Sequence, residues 1–538
     1  MLLSKKSKKP LVLIIRDGWG VNEIKNGNAI LQAKTPNMDY LLSHYPNCMI
    51  AASGIDVGLP YGCQGSSEVG HMNMGAGRIV VQELKRINDA VDDESILTKK
   101  KFNELTKKCS YRKSSLHLMG LIQDEGVHAH QDHLFGILKI LNEQKFTQKI
   151  HIHFFADGRD TPPRSSQKYA KILENKIAEF KNIDCSVATI MGRYYSMDRN
   201  KAWNLTDLAY LVLTNPTQAI NTNTARKENT ITNAIKTSYS TDICPDKSPM
   251  FDEYIHPTVL NNYDGMKEGD CILNFNFRQD RAIQLTKAFT DSNYPGNIEK
   301  INVDYYGMTR YYDEFTNYIF EPLEDIQNMD NLLGQILSKA KLKQLRISET
   351  QKFPHVTMFF NGKKTTPFDS NTEVWEEIVN KTDQGLLSQT PKMKAHELTK
   401  KVIDYIDKKT YDVIIVNFPN GDMIGHTGNF PACLTAVKTI DDCVGKIAKK
   451  IIETDGTALI TSDHGNVEEM IDYKTNKTKT AHTTNLVNLI YVANDAKNIK
   501  LRRCGRLADI MPTMLHILGI KQNLDNVKEE LKGKNLIL

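Results

Sequence analysis

The sequence predicts an α/β fold, and three observations predict it. Short apolar runs rich in Val and Ile recur along the chain, they do not alternate with polar residues, and longer helix-period patterns separate them. A strand that is apolar on both sides must be covered on both sides. The pattern therefore points to largely parallel sheets sandwiched between helices. Strands are expected at 11–15, 150–155, 187–190, 272–277, 356–360, 413–417, 458–461 and 489–492. The stretch 214–250, rich in Asn, Thr, Ser and Lys, is expected to be a surface excursion with weaker structure than its flanks. No internal repeat is present.

Composition narrows the function. The chain has 538 residues, and at roughly 150 residues per domain this length suggests three or four domains. With 40% apolar and 25% charged residues it belongs with folded soluble proteins and not with disordered chains. A net charge of +5 over this length gives no basic stripe for a nucleic-acid partner. Mean hydropathy is −0.43, and no run approaches the roughly 18 apolar residues that a membrane span needs. No nucleic-acid or membrane partner is expected. The nine cysteines are scattered singly with no C-x-x-C pair, the pattern of reduced thiols in a cytoplasmic protein. Lys5, Lys6, Lys8 and Lys9 precede the run at 11–15, but that run is too short for a signal-peptide core and Arg16 and Asp17 follow at once. A basic tail and then a buried strand are expected, and the N-x-S/T triplets at Asn204, Asn380 and Asn476 carry no weight.

Three of the expected strands run into a carboxylate and a chain break. The first leads into Asp17-Gly18-Trp19-Gly20, another into Asp422-Met423-Ile424-Gly425-His426, and a third into Asp463-His464-Gly465. Ligands in open α/β sheets bind beyond the carboxyl ends of strands, so three such ends could meet in space. Asp422 and His426 are four apart and share a face of a helical turn. His482 lies in Ala481-His482-Thr483-Thr484. Mixed Asp and His donors suit Mn²⁺ or Zn²⁺ better than Ca²⁺ or Mg²⁺. Singly, Asp17 and Asp463 read equally well as Asx turns or caps, and the Asp422/His426 pair as a solvated helix face.

The segment Gly65-Ser66-Ser67-Glu68-Val69-Gly70-His71 opens a helical pattern. Its serines read either as capping residues or as a nucleophile. A serine hydroxyl is a feeble nucleophile at neutral pH unless a base or metal activates it, and a helix N-terminus would stabilise a phosphate carried on it. The segment is neither a P-loop nor a G-x-S-x-G elbow.

A third set lies mid-chain. Arg159 and Asp160 follow a strand, Arg193 and Arg199 bracket Tyr194-Tyr195-Ser196-Met197-Asp198, Arg278 and Arg281 bracket Gln279-Asp280, and His128 and His130 are two apart. Guanidinium forks grip phosphate and carboxylate bidentately, so five arginines at strand ends suit a small, multiply charged anion; each alone reads as a surface ion pair. The metal-ligand types lie near both termini and the arginines between them, so a single metal site requires the first segment and the last third to fold together. The middle is then an inserted domain expected to close over the site.

In this arrangement the sequence resembles the cofactor-independent (2,3-bisphosphoglycerate-independent) phosphoglycerate mutases of the alkaline phosphatase superfamily. The resemblance runs from about residue 10 to the C-terminus. It rests on the motifs above together with Asp157-Gly158-Arg159-Asp160-Thr161-Pro162-Pro163, Asn276-Phe277-Arg278-Gln279-Asp280-Arg281, Arg346-Ile347-Ser348-Glu349-Thr350-Gln351-Lys352 and Ala481-His482-Thr483-Thr484-Asn485, all in order.

The resemblance implies a two-domain α/β architecture. An alkaline-phosphatase-like three-layer core would be formed by 1–80 and 325–538, and an inserted α/β transferase domain by 81–324. It implies interconversion of 3-phosphoglycerate and 2-phosphoglycerate in glycolysis and gluconeogenesis, by a monomer, through phosphoserine. Two Mn²⁺ per chain are implied, with Mg²⁺, Co²⁺ or Zn²⁺ as substitutes: one on Asp422, His426 and His482, the other on Asp17, Ser67, Asp463 and His464. Substrate contacts are implied for His128, Arg159, Asp160, Arg193, Arg199, Arg278, Arg281 and Lys352. Ser66 stands where the family usually has Asn, Gln279 where it has Pro, and Gln351 where it often has Glu. A phosphatase or phosphopentomutase on the same metal core is the rival enzyme, and a non-catalytic anion- or metal-binding protein the rival outside catalysis.

Overall fold

A computed structural model describes residues 10–245, 247–322, 329–382, 384–521 and 524–538. The basic tail at 5–9 and the junction expected at 324/325 lie outside these residues. The chain forms two compact units, Met1–Gln82 with Gln327–Leu538, and Glu83–Ile326, where length alone suggested three or four.

The first unit is built on an eight-stranded sheet in the order Glu373–Ile378, Gln344–Glu349, Val413–Phe418, Leu11–Arg16, Thr457–Thr461, Val487–Ala493, Asn47–Ala51, Cys504–Arg506. Only Val487–Ala493 runs against the others. Alternate residues of Leu11–Arg16 feed two cores. Val12 and Ile14 pack with the helices Ala395–Asp407 and Phe430–Glu453, while Leu11, Leu13 and Ile15 pack with Ile510–Ile517 and with Val69 and Met74 of the helix Ser67–Ala76. This covering of both faces explains the unalternated apolar runs.

Helix Phe430–Glu453 shows how the local sequence sets an element. Asn429 Oδ1 accepts from Ala432 N at 3.1 Å, Pro431 sits in the first turn, and Val437, Ile440, Val444, Ile447 and Ile451 repeat at three- and four-residue spacing, all fully buried. Each such side chain contributes ~1.5–3 kcal/mol of burial.

The second unit carries another eight-stranded sheet, in the order Tyr318–Phe320, Asp304–Thr309, Cys271–Asn274, Leu116–Leu121, Ile150–Ala156, Cys185–Gly192, Thr258–Leu260, Arg226–Glu228. The first six are parallel and the last two run opposite. Its core includes Leu118, Ile152, Phe154, Ile190 and Leu273, all inaccessible to solvent.

Three sequence expectations need correction. Residues 356–360 are not a strand: His355–Phe359 forms a π-helical turn after Pro354, whose φ of −60° and ψ of −28° already set a helical path. Val356 and Phe360, four apart, both reach the core, a spacing that a five-residue apolar run cannot distinguish from a strand. The strand expected at 272–277 ends at Asn274, because the Asn276 side chain takes over as acceptor from Leu121 N at 2.9 Å. The polar stretch at 214–250 is not weakly structured: it holds the helices Pro216–Asn221 and Ile231–Thr241 and the strand Arg226–Glu228. Its polar residues include the caps, with Asn215 accepting from Gln218 N and Thr230 from Asn233 N.

No disulfide joins any of the nine cysteines. Among the described residues no helix is long and apolar enough to cross a membrane.

Candidate active site

In the first unit three neighbouring parallel strands, Val413–Phe418, Leu11–Arg16 and Thr457–Thr461, end side by side. Asp422, Asp17 and Asp463 follow them, and backbone bonds from Asp17 N to Phe418 O (3.1 Å) and from Asp422 N to Asp17 O (3.0 Å) bind two of the loops together. The side chains of Asp17, Asp463 and His464 form one tight cluster, and those of Asp422, His464 and His482 a second that shares His464.

Ser67 is the first residue of the helix Ser67–Ala76. Its Oγ donates to Asp17 Oδ1 at 3.2 Å, lies 2.9 Å from His464 Nε2, and accepts from Lys352 Nζ. Ser66 has a different job: its Oγ caps the helix by accepting from Val69 N at 3.4 Å. The adjacent hydroxyls are thus separated by role, one capping and one facing the carboxylates.

Lys352 Nζ sits 2.9 Å from Asp17 Oδ1 and 2.7 Å from Asp422 Oδ2. Asp422 Oδ1 lies 3.0 Å from His426 Nε2 and 2.9 Å from His482 Nε2. Each of these imidazoles has its Nδ1 on a carbonyl, His426 on Thr480 O and His482 on Gly65 O, both at 2.8 Å. The carbonyl partners assign the proton to Nδ1 and leave an Nε2 lone pair facing inward. This is the arrangement by which outer partners orient metal-ligating histidines.

The electrostatics are those of a site short of positive charge. Burial, and then Asp463, push Asp17 up to about 7 against the pull of Lys352. Burial would also raise Asp422 and Asp463. For Asp422 it is outweighed by Lys352 and by the facing rings of His426 and His482, and for Asp463 by the neighbouring His464 and His71, so both are held well below the usual carboxylate range. Burial lowers His464 to about 3, which keeps it neutral. Burial would lower Lys352 too, but Asp17, Asp422 and Asp463 raise it above its ordinary value. Three buried carboxylates therefore face one ammonium and a set of lone-pair imidazoles. Asp463 Oδ2 makes no hydrogen bond among the described residues. Carboxylate oxygens and neutral imidazole nitrogens are the donor set for a borderline divalent cation, and these residues fit one.

In the second unit the other candidates gather at the carboxyl ends of four neighbouring strands, Cys271–Asn274, Leu116–Leu121, Ile150–Ala156 and Cys185–Gly192. Buried Arg193 donates from Nη1 to Asp157 (2.7 Å) and Asp160 (2.5 Å) and from Nη2 to His128 Nε2 (3.0 Å). His128 is therefore neutral, burial and then Arg193 pushing it down to about 4, and its buried Nδ1–H has no hydrogen-bond partner. Arg199 and Arg278 both pair with Asp280, at 2.6 and 3.2 Å, and Arg159 with Glu253 at 3.3 Å. Arg281 donates to Met197 O at 3.2 Å, and burial, then Arg193, Arg199 and Arg159, lower its pKa. The seven candidates of this unit thus form one cationic cluster, while Lys352 belongs with Ser67 in the first unit.

Sequence reasoning missed several participants. His71 sits fully buried one turn beyond Ser67, its Nδ1 2.8 Å from Ser67 O and 3.4 Å from Asp463 Oδ2. Asn417 Nδ2 bridges Asp17 Oδ2 (2.7 Å) and His71 Nε2 (3.0 Å). Asp157 and Asp280 hold the arginine forks, and Glu468 ties loops together. The signal for His71 was its place in the serine motif; Asn417 ends an apolar strand and carries no signal of its own. One further donor group, His396, Asp442 and Cys443, lies away from the site, and its carboxylate is taken by Lys446 at 2.6 Å.

Residues 9–522 match the Metalloenzyme superfamily. The 2,3-bisphosphoglycerate-independent phosphoglycerate mutase of Acetivibrio thermocellus is 43% identical over 541 residues, covering 98% of this chain and 99% of that protein. The protein of the same name from Clostridium tetani is 42% identical over 539 residues, 99% of each. Among solved structures, Leishmania mexicana phosphoglycerate mutase at low cobalt concentration superposes with a TM-score of 0.71 at 28% identity, covering 99% of this chain and 98% of that one.

Proposed function

The chain belongs to the 2,3-bisphosphoglycerate-independent phosphoglycerate mutases of the metalloenzyme superfamily, and from that premise we propose how its residues divide the work. It is a metal-dependent phosphoglycerate mutase. We assign it the interconversion of 3-phosphoglycerate and 2-phosphoglycerate through a phosphoserine at Ser67, in the cytoplasm and as a monomer.

Asp422, His426 and His482 would hold one Mn²⁺, and Asp17, Ser67, Asp463 and His464 the other. Bound there, the cations would supply the charge that lowers the serine pKa and neutralises phosphoryl oxygens. The residues supply the rest. Ser67 gives up its proton as Oγ bonds to phosphorus and the bond from phosphorus to the 3-oxygen breaks, and the 3-oxygen takes up a proton, leaving phosphoserine and glycerate. The 2-hydroxyl then attacks the same phosphorus, the Oγ–P bond breaks, and Ser67 regains its proton. Lys352, against Oγ and two carboxylates, stabilises the serine oxygen as an anion. The helix N-terminus beneath Ser67 favours the phosphate it carries.

The arginine set is assigned to the substrate's carboxylate and hydroxyls. Arg193, whose two terminal nitrogens are taken by Asp157, Asp160 and His128, orders the cluster, while the half-exposed Arg159, Arg199 and Arg278 keep donors free. His128 offers an Nδ1–H that makes no hydrogen bond and lies 3.6 Å from Asp280 Oδ1.

The observation that carries this reading is the placement of Ser67 Oγ between Asp17, His464 and Lys352. The test is conversion of 3-phosphoglycerate in metal-defined buffer without 2,3-bisphosphoglycerate. Formation of 2-phosphoglycerate supports the reading; release of inorganic phosphate instead identifies a phosphatase and defeats it.

A further inference from the structure

Glu468 is fully buried, and among the described residues no lysine or arginine pairs with it. A carboxylate in that position persists only if neutral donors satisfy both oxygens. Its donors come from three separate loops. Oε2 accepts from Gly20 N at 3.0 Å and from Asn466 N at 2.8 Å. Oε1 accepts from Thr483 Oγ1 and from Asn485 Nδ2, the latter at 3.0 Å.

Those loops carry four of the proposed metal ligands, Asp17, Asp463, His464 and His482. Gly20 closes the loop of Asp17, Asn466 follows Asp463 and His464, and Thr483 follows His482. The loops also touch directly, through Thr483 N to Gly465 O (3.0 Å) and Val467 N to Gly18 O (3.2 Å). Gly20 and Gly465 lack a side chain for a local reason: a Cβ at either would overlap the Glu468 carboxylate. The two oxygens divide the task. Oε2 fixes the loops of Asp17, Asp463 and His464, and Oε1 fixes the loop of His482.

We propose that Glu468 is a positioning residue that locks three ligand-bearing loops in register, Oε2 serving the Asp17/Asp463/His464 group and Oε1 serving the Asp422/His426/His482 group through the loop of His482. This rests on the two-cation reading given above. Outer-shell partners of this kind typically carry about ten- to a hundredfold of metal affinity.

The test is calorimetric titration of the metal-free full-length protein with Mn²⁺. Wild type should take up two ions. Thr483→Val removes one donor from Oε1 at nearly constant shape; it should weaken one of the two ions about tenfold or more and leave the other unchanged. Thr483→Ser, which keeps the hydroxyl, should restore both. Glu468→Gln should weaken both ions, with the KM for 3-phosphoglycerate unchanged at saturating Mn²⁺. A purely structural role would lower the melting temperature of the metal-free variants and leave their Mn²⁺ affinities at the wild-type value, and that result overturns the proposal. If Glu468→Gln does not fold, the Thr483 pair decides it. Wild-type protein that takes up no Mn²⁺ would instead bring down the cation reading, and this inference with it.

Discussion

The Nε2 atoms of His426 and His482 stand 3.0 Å apart, each with its Nδ1 committed to a backbone carbonyl and both beside the same oxygen of Asp422. Two lone pairs and a carboxylate oxygen at that distance repel unless a proton or a metal cation lies among them, and against the pull of burial Asp422 accordingly raises the His482 pKa. Chelation should therefore abolish turnover and also lower the melting temperature, and added Mn²⁺ should restore both. A ligand at a hundred times its Kd stabilises a protein by about 2.7 kcal/mol per site, which a thermal scan resolves. A chelator-treated protein with unchanged activity and melting point would contradict the metal reading.

The neighbouring serines separate in a second test. Ser67→Ala should eliminate the phosphoenzyme and turnover while leaving the fold intact, because its hydroxyl faces Asp17 and His464 and fills no apolar pocket. Ser66→Ala should keep the phosphoenzyme and lose about 1 kcal/mol of stability, the usual cost of an N-cap. Mass spectrometry of protein quenched with 3-phosphoglycerate locates the phosphate, and phosphate on residue 66 would reverse the assignment.

How much of this was legible depends on what each residue does. Asp17, Asp422 and Asp463 were visible because each ends an apolar run, so the strand and the carboxylate announce one another. Strands that bury polar residues were not visible: Gln344–Glu349 hides Arg346, Ser348 and Glu349, and Leu116–Leu121 hides His117, so neither reads as an apolar run. Glu468 and Asn417 serve atoms of residues far away in sequence. Glu468 lies 448 positions from Gly20, and Asn417 lies 400 from Asp17. No local pattern encodes such a pairing, and it emerges only when the strand order is known.

Buried histidines make the second unit acid-sensitive. Burial lowers His133 to about 3 and His151 to about 4, and holds His153 well below its ordinary value. A group whose folded pKa is depressed is fully stabilising above its unfolded pKa, about 6.5 for His, and loses that contribution as pH falls toward the folded value. His133 is held by Asn88 at 2.6 Å, and His153 by His117 and Thr189 at 3.0 and 2.9 Å, contacts arranged for neutral rings. The denaturant midpoint of metal-free protein should fall between pH 7 and pH 4, and His133→Gln should reduce that slope. A midpoint independent of pH over this range would refute the account.

Loss of an exposed arginine should separate substrate handling from metal binding. Arg278 is half exposed and pairs only loosely, through Nε, with Asp280 at 3.2 Å, so Arg278→Ala leaves no buried charge stranded and should cost little stability. Its removal takes one guanidinium fork from the anion-binding cluster, and the KM for 3-phosphoglycerate should rise about tenfold or more, the scale of one charge-assisted hydrogen bond at ~1.5–3 kcal/mol. Arg193→Lys is the contrasting case. It keeps the charge but cannot reach Asp157, Asp160 and His128 together, so both KM and the stability of the second unit should suffer. Neither substitution touches a metal-ligand candidate, so Mn²⁺ content by elemental analysis should match wild type in both. An Arg278→Ala protein with normal KM, or with depleted metal, would show that the arginine cluster does not do the work assigned to it.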